Sequence, residues 1–309
     1  MKRLTLLWNI VKQAVLSFFQ DRCLKHSAAL AYYTIFSLPS MLIIIISLGG
    51  MLYGEKALQG ELYHIIDNYA GAKVAGQIED VLANLKIQGN NIWATIIGVG
   101  TLLFAATGIF GQIQDSINQI WGLQTKPEKS WLILILKRLT SFSMILVLGF
   151  ILLISLTVNT VLEVLMDRLK ENFSDQIIQL VYYGEYLLGF IIITILFLLI
   201  FKILPDAVIK WRHTFIGAAI TSVLFIIGKS IIGAYLTDTR LISAYGGTSS
   251  LIVLLIWVYY SSVILFLGAE ITLAYVLQTG AKIEPNQYAT FVEYVRVEKD
   301  GVESDKKEE

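Results

Sequence analysis

The chain has 309 residues, 56% hydrophobic and only 16% charged, with a mean hydropathy of +0.67 and a formal net charge of zero. Soluble domains carry about 25% charged residues, so this composition excludes an ordinary water-soluble fold and points to a membrane bundle. The balanced charge provides no basic field for nucleic acid. The single cysteine, Cys23, excludes intrachain disulfides, and His26, His64 and His213 lie too far apart in sequence to define a zinc or di-metal site.

Residues 1–27 place apolar side chains at Leu7, Val11, Ala14, Val15 and Phe18, with Lys12, Gln13, Gln20, Asp21 and Arg22 between them. This is helical spacing with the charges off the stripe. The segment lacks the continuous apolar core and cleavage site of a signal peptide, so it is expected to remain as an amphipathic helix. Two placements suit it equally: flat in the membrane surface, or against the ends of a helical bundle.

The first span is expected over residues 28–53. Pro39 lies inside it and removes a backbone hydrogen bond, which predicts a kink or local unwinding near Ser37 to Ser40. The following connection, residues 54–91, has apolar residues at Leu58, Leu62, Ile65, Ile66 and Tyr69, then at Ile78, Val81, Leu82 and Leu85. That spacing predicts two short amphipathic helices, forming either a structural cap on the outer face or a mobile lid. A second span, residues 92–110, carries Ala94, Gly98, Thr101, Ala105 and Gly108 on one face, a seam that allows close helix approach. Beyond Gly111 the helix is expected to continue through Gln112, Gln114, Asp115 and Asn118, emerging into water and packing on another surface element.

Spans three and four are read over 139–162 and 181–204, with Asn159 the one strongly polar residue inside span three. Pro205, Asp206, Lys210, Trp211 and Arg212 form a turn before span five, residues 214–236. Gly228-Lys229-Ser230 resembles the end of a phosphate-binding loop, but the glycine required five residues earlier is Val223 and the flanks are helical, so the match is false. Lys229 matters because an ionisable group inside a span is costly; it is functional, paired, or snorkels to the interface. The sixth span, residues 248–277, contains a charge-free run from Thr248 to Phe266, long enough to cross a bilayer. Tyr259, Tyr260, Ser261 and Ser262 put hydroxyls near its middle, and Glu270 follows two turns later. Such hydroxyls either tie helices together or line a wet cavity.

Basic residues then set the orientation. Seventeen Lys and Arg fall in the two termini and the second-to-third and fourth-to-fifth connections, against six in the alternate connections. The positive-inside rule places both termini in the cytoplasm, consistent with six spans. The expected architecture is an all-α, polytopic bundle of six transmembrane helices. It comprises an amphipathic helix over 1–27, a transmembrane domain over 28–278 with its outer loop at 54–91, and a charged tail over 279–309.

Three groups of residues carry a family resemblance: the run from His26 to Leu38 with Tyr32, Tyr33 and Ser37, followed by Pro39; Trp211-Arg212 with Gly217-Ala218; and Tyr245-Gly246 with Trp257 to Ser262 and Gly268 to Glu270. On these the chain resembles the YihY/BrkB family of bacterial inner-membrane proteins over about 18–278. Pro39 stands one residue earlier than the family's usual proline, which leaves the kink position open. The resemblance implies a six-helix inner-membrane protein of a family sometimes labelled ribonuclease BN and sometimes a virulence factor, for which transport of lipids or other amphiphiles has been proposed.

The favoured reading is a transporter or lipid-translocating protein without an ATPase motif, its path or interhelical polar cluster formed by Lys229, Tyr259, Tyr260, Ser261, Ser262, Glu270 and Asn159. The alternative is a non-catalytic scaffold binding envelope partners, in which these residues are ties between helices. Enzyme readings fit poorly: a ribonuclease needs clustered metal ligands or a positioned acid and base near a basic groove, and no GxSxG or HExxH is present. The expected partners are membrane lipids and a lipid or amphiphile substrate, with no nucleic acid and no cofactor; self-association into a homo-oligomer is left open.

Overall fold

The computed structural model describes residues 2–53, 107–126, 138–151, 175–236 and 249–292, with isolated positions between them. Most of the outer loop and second span, together with Asn159, Tyr245, Gly246 and residues 293–309, lie outside the described residues. The described chain is mostly helical, with seven helices. In order these are α1 (Lys2–Gln20), α2 (Cys23–Tyr53), α3 (Gly108–Ile120), α4 (Arg138–Ile151), α5 (Asp175–Ile203), α6 (Trp211–Leu236) and α7 (Ser249–Gln278). Four short strands accompany them: β1 (Leu123–Thr125), β2 (Ala207–Val208), β3 (Glu284–Pro285) and β4 (Ala289–Phe291).

Among the described residues, three helical stretches are long and apolar enough to cross a membrane: Tyr186–Ile203, Trp211–Gly233 and Ile252–Gln278. Their outward faces carry Leu187, Ile191, Phe215, Val223, Ile227 and Ile231 exposed. Contiguous apolar surface of this kind marks a face that meets lipid or protein rather than water.

α7 is the centre of the bundle and packs against α6, α2, α1 and α3, while α5 packs on α6 and α2 on α3. The α6–α7 contact rests on two nearly identical pentapeptides, Gly217-Ala218-Ala219-Ile220-Thr221 and Gly268-Ala269-Glu270-Ile271-Thr272. A Cβ on Gly217 would overlap Thr272, and one on Gly268 would overlap Thr221. Each glycine therefore receives the other helix's threonine. The threonines in turn donate to their own helix, Thr221 Oγ1 to the Gly217 carbonyl at 2.7 Å and Thr272 Oγ1 to the Gly268 carbonyl at 2.8 Å. Hydroxyls satisfied in this way enter an apolar contact without an orphaned donor, and Ala218 and Ala269 between them are fully buried.

The structure departs from the sequence reading in two places and adds detail to it in a third. α2 stays helical through Pro39, so the local unwinding expected at Ser37 to Ser40 does not occur. Proline deletes only its own N–H bond, and packing of α2 on α3 and α7 supports the rest of the helix. The polar extension α3 does not emerge into water: Ile109, Phe110, Ile113, Gln114, Ser116, Ile117, Asn118 and Ile120 are all buried. Gln114 and Asn118 each donate to Asp206, and Ser116 bonds with His26 and Gln112, so each buried polar side chain keeps a hydrogen bond, with Gln114 Oε1 left unpartnered. Finally, the start of the tail is ordered. β3 pairs antiparallel with β2, and β4 pairs antiparallel with β1 in the register Leu123 to Phe291 and Thr125 to Ala289.

α1 has three faces. Ile10 and Ala14 bury against Ile271 and Ala274 of α7, while Trp8, Val11, Val15 and Phe19 form an exposed apolar stripe beside them. Lys12 borders that stripe, while Gln13 lies away from it and accepts from Gln278 Nε2 at 3.0 Å. Of the two placements expected for this helix, packing on the bundle is the one seen, and an apolar edge stays exposed beside it.

Candidate functional site

α1 and α2 meet in a two-residue joint that carries the most unusual chemistry of the described chain. α1 ends at Gln20, with the Asp21 N–H still donating to the Ser17 carbonyl at 2.8 Å, and Lys25 N–H donates to the Arg22 carbonyl at 2.8 Å as α2 begins. Arg22, between them, has φ 53°. This left-handed conformation costs a side-chain-bearing residue about 1–2 kcal/mol, and backbone strain of this kind concentrates at functional positions.

The joint directs Asp21 and Cys23 towards Glu270 of α7, with His26 beside Asp21. Glu270 is 1% exposed. Its Oε1 accepts from Cys23 Sγ at 3.6 Å, and the Asp21 carboxyl lies within hydrogen-bonding reach. Oε2 has no donor when both acids are ionised. On the far side, His26 Nδ1 is 3.3 Å from Ser116 Oγ of α3, which accepts from Gln112 Nε2 at 3.1 Å. The His26 ring stands edge-on to Phe266 at 6.2 Å. Trp121, the residue closing α3, donates its indole N–H to the Ala269 carbonyl at 3.2 Å, which seats this wall beside Glu270.

Asp21, Cys23 and His26 all precede the span expected from residue 28. Burial pushes the Asp21 carboxyl above its ordinary value, opposed by the hydrogen bond to Glu270 and by the nearby His26. Burial also pushes the Cys23 thiol up, reinforced by the adjacent Glu270. The His26 imidazole is held below its ordinary value by burial and by Lys25, against the pull of Asp21. In each case loss of water around the charged form is the leading cause.

A second polar cluster lies on the opposite face of α3. Asp206 is buried in the turn after α5. Its Oδ2 accepts from Asn118 Nδ2 at 2.8 Å, and its Oδ1 accepts from Gln114 Nε2 at 3.3 Å and Asn286 Nδ2 at 3.1 Å. Asn118 Oδ1 accepts the Asp206 N–H at 2.8 Å, and the Asn286 N–H donates to the Asp206 carbonyl at 3.0 Å. The cluster thus clamps α3, the α5–α6 turn and the segment leading to β4 together. Asp206 had been read only as a turn residue, and nothing local could reveal partners 88 and 80 positions away.

The residues singled out from sequence divide between different levels of the bundle. Glu270 belongs to the joint. Tyr260 sits about 15 Å further along α7 at roughly 1.5 Å per residue, where its ring faces Gly228 of α6, the neighbour of half-buried Lys229. Ser262 is buried and donates to the Val258 carbonyl of its own helix at 2.7 Å. Tyr259 and Ser261 are half-buried. Among the family-motif residues, Ser37 is buried against Gly108, Gly268 receives Thr221, Trp257 is half-buried, and Tyr32, Tyr33, Trp211 and Arg212 are exposed. Sequence reading missed Asp21 as a partner of Glu270 because it appeared only as a charge off the stripe of α1. The recurring Gly-Ala-Xaa-Ile-Thr pentapeptide was the available signal for the α6–α7 contact.

Among the described residues no group of His, Cys, Asp and Glu is arranged to hold a metal ion. Apolar helices of spanning length around a buried polar joint define a polytopic helical membrane protein. A family profile described as virulence factor BrkB matches residues 14–290, and the chain belongs to this family. It is similar to a UPF0761 membrane protein of Aeromonas salmonicida, 27% identical over 84% of this chain and 87% of that one. It is similar also to a UPF0761 membrane protein of Psychromonas ingrahamii, at 25% identity over 82% of each chain. A third relative, from Halorhodospira halophila, is 26% identical over 87% of this chain, which spans 58% of that protein's length. No solved structure matches.

Proposed function

We propose that this membrane protein translocates a lipid or another amphiphile across the bacterial inner membrane, with both termini in the cytoplasm and no nucleotide as its energy source. The observation that carries this reading is the burial of Glu270, 1% exposed on a helix of spanning length, against a strained joint between two other helices. Ionisable groups at such positions are expensive and are retained where they serve a path or a coupling step. Lys229, half-buried on α6 beside the contact of Gly228 with Tyr260, supplies a second ionisable group along the same helix pair. The exposed stripe of Trp8, Val11, Val15 and Phe19 suits α1 to lie in the lipid interface, tying the joint to the membrane surface.

The test is movement of fluorescent lipid in proteoliposomes. Protein-dependent movement that Lys229→Ala and Glu270→Ala each slow is the expected result. Folded protein that moves none of several lipids would remove this reading and leave a scaffold that binds envelope partners.

A further inference from the structure

The carboxyls of Asp21 and Glu270 are two acids in one site, Glu270 buried and Asp21 half-buried, and no basic side chain hydrogen-bonds Glu270 among the described residues. Cys23 offers a weak thiol donor to one oxygen of Glu270, and the other oxygen has no donor while both acids are ionised. α3 contributes Ser116 through His26 and the Trp121 indole through the Ala269 carbonyl. α6 contributes Ala218, Thr221 and Gly217 to the adjoining contact. The ionisable groups acting on Glu270 are Asp21 and Cys23; His26 acts on Asp21, and Lys25 acts on His26. Two acids so placed are satisfied by a single proton, since one carboxyl then donates to the other.

We propose that Asp21 and Glu270 form a proton-binding site that latches the α1–α2 joint onto α7. With one proton between them, the O–H of one acid donates to the other and the joint is closed. When that proton leaves to water through half-buried Asp21, two carboxylates face each other, repel, and the joint lifts from α7. Strain at Arg22 φ 53° favours the lifting, because the left-handed turn is released with it. The inference deepens the translocation reading, on which it rests for its purpose, by naming the energy source as a proton gradient and the moving part as α1 with the head of α2.

Cys23 reports the latch directly, being the chain's one cysteine and buried inside the site. The experiment follows alkylation of Cys23 by an uncharged maleimide against pH, using the full-length chain in lipid nanodiscs. Growth of the thiolate fraction alone raises the rate about tenfold per pH unit below the thiol's pKa. In the wild type, opening adds a further step of about tenfold over a narrow pH range. Glu270→Gln, which keeps the size of the side chain and cannot ionise, should retain the thiolate slope and lose the extra step, and Asp21→Asn should do the same. A wild-type profile with only the thiolate slope overturns the proposal, as does an extra step that persists in both variants. Fast labelling of both variants at every pH overturns it too, since the acids would then be structural supports only. Lipid movement under an imposed pH gradient separates the two readings. A labelling step without lipid movement sinks translocation and leaves the proton site standing. Lipid movement indifferent to the gradient, with no labelling step, does the reverse.

Discussion

Asp206 and Glu270 are both buried acids beside α3, and their surroundings are built on opposite plans. Asp206 receives amide donors from Gln114, Asn118 and Asn286, and its own backbone N–H and carbonyl are also engaged. Glu270 receives a thiol at 3.6 Å and faces a second acid. α3 serves both, turning Gln114 and Asn118 to one side and Gln112 and Ser116 to the other. A saturated carboxylate fixes geometry, whereas an acid short of donors stays responsive to a proton or a partner. The comparison separates the clamp of this protein from its candidate moving part, though both Asp206 and Glu270 are buried.

Substitutions can break this contrast. The largest effect is expected from Asn118→Ala, which removes one donor to the Asp206 carboxylate and the acceptor of the Asp206 N–H at once. Hydrogen bonds to charged groups contribute about 1.5–3 kcal/mol each, so a loss of about 3 kcal/mol should appear as a clear drop in the thermal unfolding midpoint. A change within experimental error would show that the cluster is not a clamp. At the joint, Arg22→Gly should act in the other direction. Glycine accepts φ 53° without penalty but gives the unfolded chain more freedom, leaving a net gain of about 0.5–1 kcal/mol. Destabilisation on the same scale would mean that the Arg22 side chain, rather than its backbone, holds the turn.

The smallest effect is a pH slope. Because burial raises the Asp21 carboxyl above its ordinary value, the folded chain holds this proton more tightly than the unfolded chain. The resulting stability is fully present below the ordinary carboxylate value of about 4 and is lost as pH rises through the raised value. His26, lowered by burial, gives the opposite slope: its stability is present above about 6.5 and lost as pH falls through the lowered value. Midpoints measured from pH 4 to 8 should therefore fall with rising pH in the wild type relative to Asp21→Asn. Parallel curves for the two proteins would show that burial does not raise the Asp21 carboxyl.

Much of the fold was legible because membrane residence writes itself into composition and run length. Apolar windows over 186–203, 211–233 and 252–278 fall inside the fourth, fifth and sixth expected spans apart from a few residues at the ends. Glu270 stood out for the same reason, as a charge where charges are rare. The signals failed where contacts are long-range. Asn118 and Gln114 looked like the polar surface of an emerging helix, since sequence shows a polar residue but not the Asp206 waiting for it. The tail read only as charged, because strands of two or three residues such as β3 and β4 have no period to detect.

The sequence by itself determined that this is a membrane protein of apolar helices, and its motifs determined the family, because lipid selects residue by residue for length and hydropathy. Only the tertiary structure decided that α3 is buried rather than wet, that paired Gly-Ala-Xaa-Ile-Thr segments bring α6 and α7 into contact, and that Asp21 meets Glu270. Those facts depend on side chains far apart in the chain competing for the same few buried hydrogen bonds. No local pattern records which partner prevails.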